Sequence, residues 1–414
     1  MKNIFRITRR LQSTNAAARM YQLIGGELSP YTAKVRFYLR YKNIPFESVT
    51  ASAEIYSQFI KPRVGWNVIP VLVTSQNNVI QDSSDIIEFL EKRHPDPSIE
   101  PTTAKHKLIS ALIELFADEW LVLPIMHYRW SFPENLQFLK EEFGRIAFPE
   151  YSTSQRLEVA EMLYTKFKSM RDILGINENT GPAIEQSLKE LLDELTVHFD
   201  KYPYLLGGKP CIADFALAGM FYAHLFRDPV SGFVMKTRAP LVAAWCEQMN
   251  GHLPEISKYN VHEVTKNGRI VKKQQPTGAD NFCSNDEIPE TLYPILKRFC
   301  SEFGPVLMST RIKLIEHIQK NVREGSTKLP RNLGTHDYHL GTASAPRGIF
   351  PFNVWMWQRV TDIYNAMDIE DKKQSEQLLS KFPHGCEIIQ ANLNQCRVER
   401  KNNFLHAVLP RNKL

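Results

Sequence analysis

YQLIGGELSPYTAKVRFYLRYKNIPFE (residues 21–47), VIPVLV (68–73) and VIQDSSDIIEFLEKRHP (79–95) follow one another early in a 414-residue chain, and their reading decides its fold. The first is a short apolar strand, a turn ending in Ser29 and Pro30, and a helix from Tyr31. The second is a strand entered through an Ile-Pro step, and the third a hairpin arm leading into another helix. A strand that feeds straight into a helix presents the first helical N–H groups and the positive dipole end to whatever lies in front of them. Ser29 stands at that point, where an anion such as a thiolate is stabilised. Taken singly, Ser29-Pro30 is an N-cap followed by proline at the first helical position. Ile69-Pro70 is then an edge or turn, and Asp82-Ser83 a helix cap. In this order they describe one α/β unit.

The segment resembles the thioredoxin-like N-terminal domain of glutathione transferases. Ser29-Pro30-Tyr31 with Arg36 is similar to the Cys/Ser-Pro turn and downstream arginine at the active helix. Ile69-Pro70-Val71-Leu72 resembles the Val-Pro-x-Leu step whose proline is cis, and Asp82-Ser83 the Glu/Gln-Ser pair that opens a helix. The resemblance implies that Ile69 and Pro70 present a backbone edge to the glutathione cysteine. It implies that Asp82 and Ser83 hold the γ-glutamyl carboxylate, and that Ser29 is the catalytic hydroxyl, with Tyr31 a second donor. Glutathione is then a co-substrate, no metal is required, and the thiolate attacks a small electrophile in a detoxification-type conjugation. Serine cannot form mixed disulfides, so thiol reductase chemistry is disfavoured. Three departures stand out: Asp82 replaces Glu or Gln, Asp85 falls where a small residue is common, and RVGWNVIP is wider than the usual approach to the proline.

Outward from this unit (20–97), residues 105–258 change to helical periodicity. LISALIELFADEWLVLPIMHYRW is interrupted at Pro124, and SQRLEVAEMLYTKFKSMRDILG and AIEQSLKELLDELTVHFDKY follow. Gly207-Gly208 stops one segment, and Cys211-Ile212-Ala213-Asp214 resembles the Ser/Thr-x-x-Asp cap that opens a buried helix in the all-helical C-terminal domain of the same family. Asp214 is accordingly a folding residue. Asp118, Glu119, Trp120, His127, Tyr128, Arg129 and Trp130 crowd one helical stretch, where Asp118 is placed to face the glutathione site or, on the plainer reading, the aromatics are core and the charges solvated.

Residues 259–414 read as a mainly helical extension, with a hairpin or loose turn at Asn267-Gly268 and an apolar run FPFNVWMWQRVTDIY. His336-Asp337-Tyr338-His339, between Gly334 and Gly341, reads as a surface turn rather than a zinc site. Cys386 and Cys396 read as buried free thiols on helix.

Composition narrows the function. Charged residues make up 23% and the net charge is +6 without long Lys/Arg runs, which argues against nucleic-acid binding. No run of about 18 apolar residues exists to span a membrane. Six scattered cysteines without CxxC spacing point to a reducing compartment. Residues 1–19 are Arg-rich, amphipathic and free of acids, the composition of a mitochondrial transit peptide, with a basic tail as the plain alternative. The expected location is the mitochondrial matrix, otherwise the cytoplasm. The family resemblance implies a two-fold homodimer unless the extension covers that face. A second reading is a non-catalytic, transferase-fold accessory or structural subunit of a mitochondrial assembly, with mitochondrial protein partners.

Overall fold

A computed structural model describes residues 20–251, 262–273, 281–322, 325–393 and 396–409, so the transit-peptide reading of 1–19 lies outside the described residues. Strand β1 (Tyr21–Gly25) runs into helix α1 (Pro30–Tyr41), followed by β2 (Phe46–Thr50), β3 (Val71–Val73), β4 (Val79–Gln81) and α2 (Ser83–Glu91). The sheet order is β2-β1-β3-β4, with β1 and β2 parallel and the other pairs antiparallel. This is the expected thioredoxin-like α/β unit. Its sheet buries Leu23 and Leu72 towards the helices and Ile24, Val71 and Val73 on the opposite face, the period-two alternation of a strand buried on both sides.

The all-helical part holds α3 (Ala104–Leu115), α4 (Val122–Ser131), α5 (Leu136–Ala147), α6 (Thr153–Ile173), α7 (Gly181–Phe199), α8 (Ile212–Met220), α9 (Pro229–Arg238) and α10 (Pro240–Met249). Between α3 and α4 the chain makes a π-helical turn, Phe116–Trp120, of the kind that often marks functional positions. Pro124 lies in the first turn of α4, where its missing N–H breaks no helical bond. The interruption expected at Pro124 thus falls just before it, and the run over 108–130 is two helices and a π turn.

The start of α8 is built as anticipated. Asp214 accepts from Leu205 N and Cys211 N, each at 2.9 Å, while the Cys211 thiol donates to the same carboxylate. Burial raises the Asp214 carboxyl to about 7, against those hydrogen bonds. Gly219 in α8 lets this helix close on α1, since a Cβ there would lie 2.6 Å from the Pro30 carbonyl oxygen.

The extension is mainly helical, with α11 (Tyr293–Arg298), α12 (Gly304–Asn321), α13 (Pro351–Ala366), α14 (Ile369–Leu379) and α15 (Gly385–Gln390). It also carries strands: the hairpin β5 (His262–Val264) and β6 (Ile270–Lys272), β7 (Ser326–Lys328), the hairpin β8 (Thr335–Leu340) and β9 (Ala343–Gly348), β10 (Arg397–Lys401) and β11 (Phe404–Val408). The Asn267-Gly268 step turns the first hairpin as its sequence predicted, with Gly268 at φ 73°.

His336–His339 is a correction, because it lies in β8 rather than in a turn. Tyr338 and Leu340 point inward from it, and the flanking glycines, Gly334 and Gly341, are the residues with positive φ. Cys386 and Cys396 are half-buried rather than buried, and Cys396 precedes β10. The apolar core is shared throughout: Trp120 stacks on Phe303 and Phe116 meets Phe299 edge to face, so the extension is packed into the same interior.

Candidate functional site

The strand-to-helix turn is held tightly. A Cβ at Gly25 would lie 2.2 Å from the Thr32 side chain, so the last residue of β1 must be glycine for α1 to start where it does. Ser29 is the N-cap of α1, with Pro30 at the first helical position. Its Oγ accepts from Thr32 N at 3.2 Å, and among the described residues its hydroxyl hydrogen has no acceptor. Arg36 donates to Glu27 at 2.9 Å, and Arg129 from α4 donates to the Leu28 carbonyl at 3.0 Å. Arg129 is in turn fixed by both oxygens of buried Asp228, each at 2.7 Å. Tyr31 is committed elsewhere, because its hydroxyl donates to the Asp118 carbonyl at 2.8 Å.

The Ile69-Pro70 peptide is cis, as the resemblance implied. Pro70 is buried, Ile69 is half-buried, and neither the N–H nor the C=O of Ile69 is hydrogen-bonded among the described residues. The preceding loop is clasped by the extension. Arg331 stacks over Trp66 at 4.0 Å, Asn403 donates to the Val64 carbonyl at 3.3 Å, and the Phe404 ring lies against Gly65.

At the start of α2, Asp82 is the N-cap with φ 86°, and its carboxylate accepts from Ser84 N at 3.0 Å and Asp85 N at 3.3 Å. Asp82 therefore consumes two of the helix's free N–H donors itself. Ser83 is only 4% exposed, and its N–H and hydroxyl make no hydrogen bond among the described residues. Ser84 faces the other way into a buried charge cluster. Lys34 Nζ donates to Ser84 Oγ at 3.0 Å, Glu114 at 2.7 Å and Asp118 at 2.6 Å, and Ser84 donates to Glu114 at 2.6 Å.

One cation serves two buried carboxylates here. Glu114 also has Ser84, and its pKa ends low because Lys34 outweighs burial. Asp118, with Oδ1 unpartnered, is pushed up to about 6 by burial, with Glu114 adding and Lys34 opposing. Glu119, beside it in the π turn, is held well above the ordinary carboxylate value by burial and by Asp118 and Asp82. Arg347 from β9 reaches this turn, donating to the Glu119 carbonyl at 3.4 Å and the Leu174 carbonyl at 3.2 Å.

Ser29 on α1, Ile69 before β3 and Ser83 on α2 thus share one feature, hydrogen-bonding groups left unused at the ends of their elements. Of the helical residues singled out from sequence, Asp118 does meet α1, through Tyr31 and Lys34, whereas Trp130 packs among Phe143, Tyr164 and Phe167. Sequence reasoning missed Lys34, Glu114 and Arg347. A signal existed for the first two, since Lys34 sits among Ala33, Val35 and Phe37, and Glu114 and Asp118 are four apart in an otherwise apolar run. No group of three or more His, Cys, Asp or Glu side chains suited to a metal occurs among the described residues. None of the helices there is long and apolar enough to cross a membrane.

Comparison with known proteins agrees with the geometry. Residues 23–98 match the glutathione S-transferase N-terminal domain and residues 178–248 the glutathione S-transferase C-terminal domain. No curated protein matches the chain. Among solved structures it is similar to a glutathione S-transferase from Rhodospirillum rubrum F11, at 20% identity over 55% of this chain and 87% of that one, TM-score 0.37. It is similar to the beta-etherase LigF from Sphingobium sp. strain SYK-6, at 19% identity over 57% and 97%, TM-score 0.43. A glutathione S-transferase from Methylobacterium radiotolerans, in complex with glutathione sulfonate, is 18% identical over 58% and 98%, TM-score 0.36. The chain thus carries both glutathione S-transferase domains in order, the N-terminal one over residues 23–98 and the C-terminal one over residues 178–248, followed by a long C-terminal extension.

Proposed function

We propose that this chain binds glutathione along the Ile69 edge, with the γ-glutamyl carboxylate at Ser83 and the thiol at Ser29, and conjugates the thiolate to a small electrophile. The observation that carries this reading is the set of uncommitted groups: the Ser29 hydroxyl hydrogen, the Ile69 backbone and the Ser83 N–H and hydroxyl. Glutathione's thiol is mostly protonated near neutral pH, so a transferase must stabilise the thiolate. Ser29 donates one hydrogen bond to the sulfur, and the N-terminus of α1 adds its dipole. Capping does not compete with this role, because the cap uses a lone pair of Oγ and catalysis uses its proton. Tyr31, bound to the Asp118 carbonyl and with its phenol raised by burial and by the Glu119, Asp118 and Asp82 carboxylates, is not the donor.

Isothermal calorimetry of the leaderless chain with glutathione tests the reading, together with retention on immobilised glutathione and its loss in Ser83→Ala. Absence of binding at millimolar glutathione sinks it and leaves the accessory-subunit alternative. We further propose that residues 1–19 direct the chain to the mitochondrial matrix. A reporter fused to those residues that stays cytosolic refutes that part alone.

A further inference from the structure

Residue Asp85 occupies the third position of α2, two residues after Ser83, whose groups are proposed to receive the γ-glutamyl carboxylate. An ionised side chain there repels an incoming anion, and Asp82, Asp118 and Glu119 add to the same negative field. The extension answers this charge from two separate elements. Arg400 on β10 reaches Asp85 Oδ2 at 2.6 Å, donates to both the carbonyl and the side-chain oxygen of Gln81 at 2.9 Å, and lies 3.9 Å from Asp82 Oδ2. Arg359 on α13 takes the other oxygen of Asp85 at 2.5 Å and lies 3.9 Å from Glu88. Trp355, one turn before Arg359, carries both guanidinium groups near its ring, at 4.8 Å and 5.5 Å. Asn403 accepts from Arg400 at 3.2 Å.

We propose that Arg359 and Arg400 are positioning residues of the glutathione site: by neutralising Asp85 they let the N-terminus of α2 accept the γ-glutamyl carboxylate. The inference rests on the glutathione reading above. It explains why this chain carries an aspartate at a position where a small residue is common and carries an extension that folds back over it. Charge-assisted pairs to both oxygens of one carboxylate fix that side chain away from the ligand as well as offsetting its charge. The extension is then part of the binding site rather than an appendage to it.

The test is calorimetric titration of glutathione into four full-length proteins: wild type, Asp85→Ala, the Arg359→Gln/Arg400→Gln double variant, and the triple variant. Wild type binds. The double variant binds about tenfold more weakly, with the loss shrinking at high salt. Asp85→Ala alone binds several-fold more tightly, because the arginines are left in excess, and the triple variant returns to within about threefold of wild type. Wild-type affinity in the double variant overturns the inference, as does a loss that the added Asp85→Ala does not repair. If the double variant fails to fold, Asp85→Ala alone decides, since weaker binding there is fatal to the idea. A wild-type chain that does not bind glutathione overturns the functional reading, whereas binding that ignores Asp85 and its arginines overturns only this inference.

Discussion

Arg129 Nη1 donates to the carbonyl of Leu28, the residue before Ser29, at 3.0 Å, so a buried guanidinium on the helical part sets the turn on which the proposed nucleophile site is built. Its other donors go to Asp228 Oδ1 and Oδ2, to the Ala223 carbonyl and to His224 Nε2, all at 2.7 Å. His224 accepts there as a neutral ring, kept so by burial and by Arg129 itself, and donates from Nδ1 to the Ile125 carbonyl at 3.2 Å. Replacing Arg129 with Met leaves Asp228, which is 1% exposed, as an uncompensated buried charge, and stability falls by about 3–5 kcal/mol. Arg129→Lys does not rescue it, because an ammonium cannot reproduce the planar fork. Urea denaturation measures both; a loss below about 1 kcal/mol in Arg129→Met contradicts the structural role assigned to the pair.

Ser29 makes two separable contributions. Ser29→Ala removes the cap to Thr32 N and costs about 1 kcal/mol. Ser29→Asp keeps a capping oxygen and favours the helix dipole, so its stability stays close to wild type. Neither variant donates a hydrogen bond to a thiolate, and in both the thiol of bound glutathione titrates at higher pH than in the wild-type complex. Ultraviolet absorbance of the thiolate across a pH series measures this. Equal titration midpoints in wild type and Ser29→Asp mean that Ser29 only caps.

The features legible in the sequence are those whose signal is local. Ser29-Pro30, Ile69-Pro70, Asp82-Ser83 and the Cys211 to Asp214 box each declare themselves within four residues, because caps and prolines act on the backbone beside them. The ion pairs around the site do not. Arg359 and Arg400 meet Asp85 across 274 and 315 residues, and only the packed extension brings them together. At His336–His339 the flanking glycines suggest a loop, yet they make the turns outside a strand whose Tyr338 and Leu340 alternate inward.

Lys34 ties α1 to α2 and to the all-helical part, and its removal has a pH signature. Lys34→Met leaves Glu114 and Asp118 buried without their shared cation, which destabilises the chain by about 3–5 kcal/mol at pH 8. Burial then holds both carboxyls above their ordinary values, as it already does for Asp118 at about 6. A carboxyl raised in the folded state binds protons before its unfolded counterpart does, so folding is favoured as pH falls from the folded value towards the unfolded one. The variant therefore regains part of its stability relative to wild type between pH 8 and pH 5. Chemical denaturation at both values measures the gap, and a gap that widens on acidification refutes the assignment.

His198 on α7 gives the opposite slope. It is fully buried, with Nδ1 at 2.7 Å from Thr291 Oγ1 and Nε2 at 3.1 Å from the Tyr204 carbonyl, and burial lowers it to about 4 against the hydrogen bond to Tyr204. The ring is neutral in the folded chain over the range in which the unfolded chain protonates near 6.5. Stability from this site is complete above about pH 6.5 and is lost as pH falls towards 4, by roughly 3 kcal/mol over the window. Asp214, raised to about 7, works in the other direction over an overlapping window, so total stability hides the effect. The difference between wild type and His198→Gln isolates it. A glutamine does not protonate in this range, and the advantage of wild type over the variant should shrink steadily from pH 7 to pH 4. A constant difference across that range would falsify the assignment of a neutral, non-titrating His198 to the folded state.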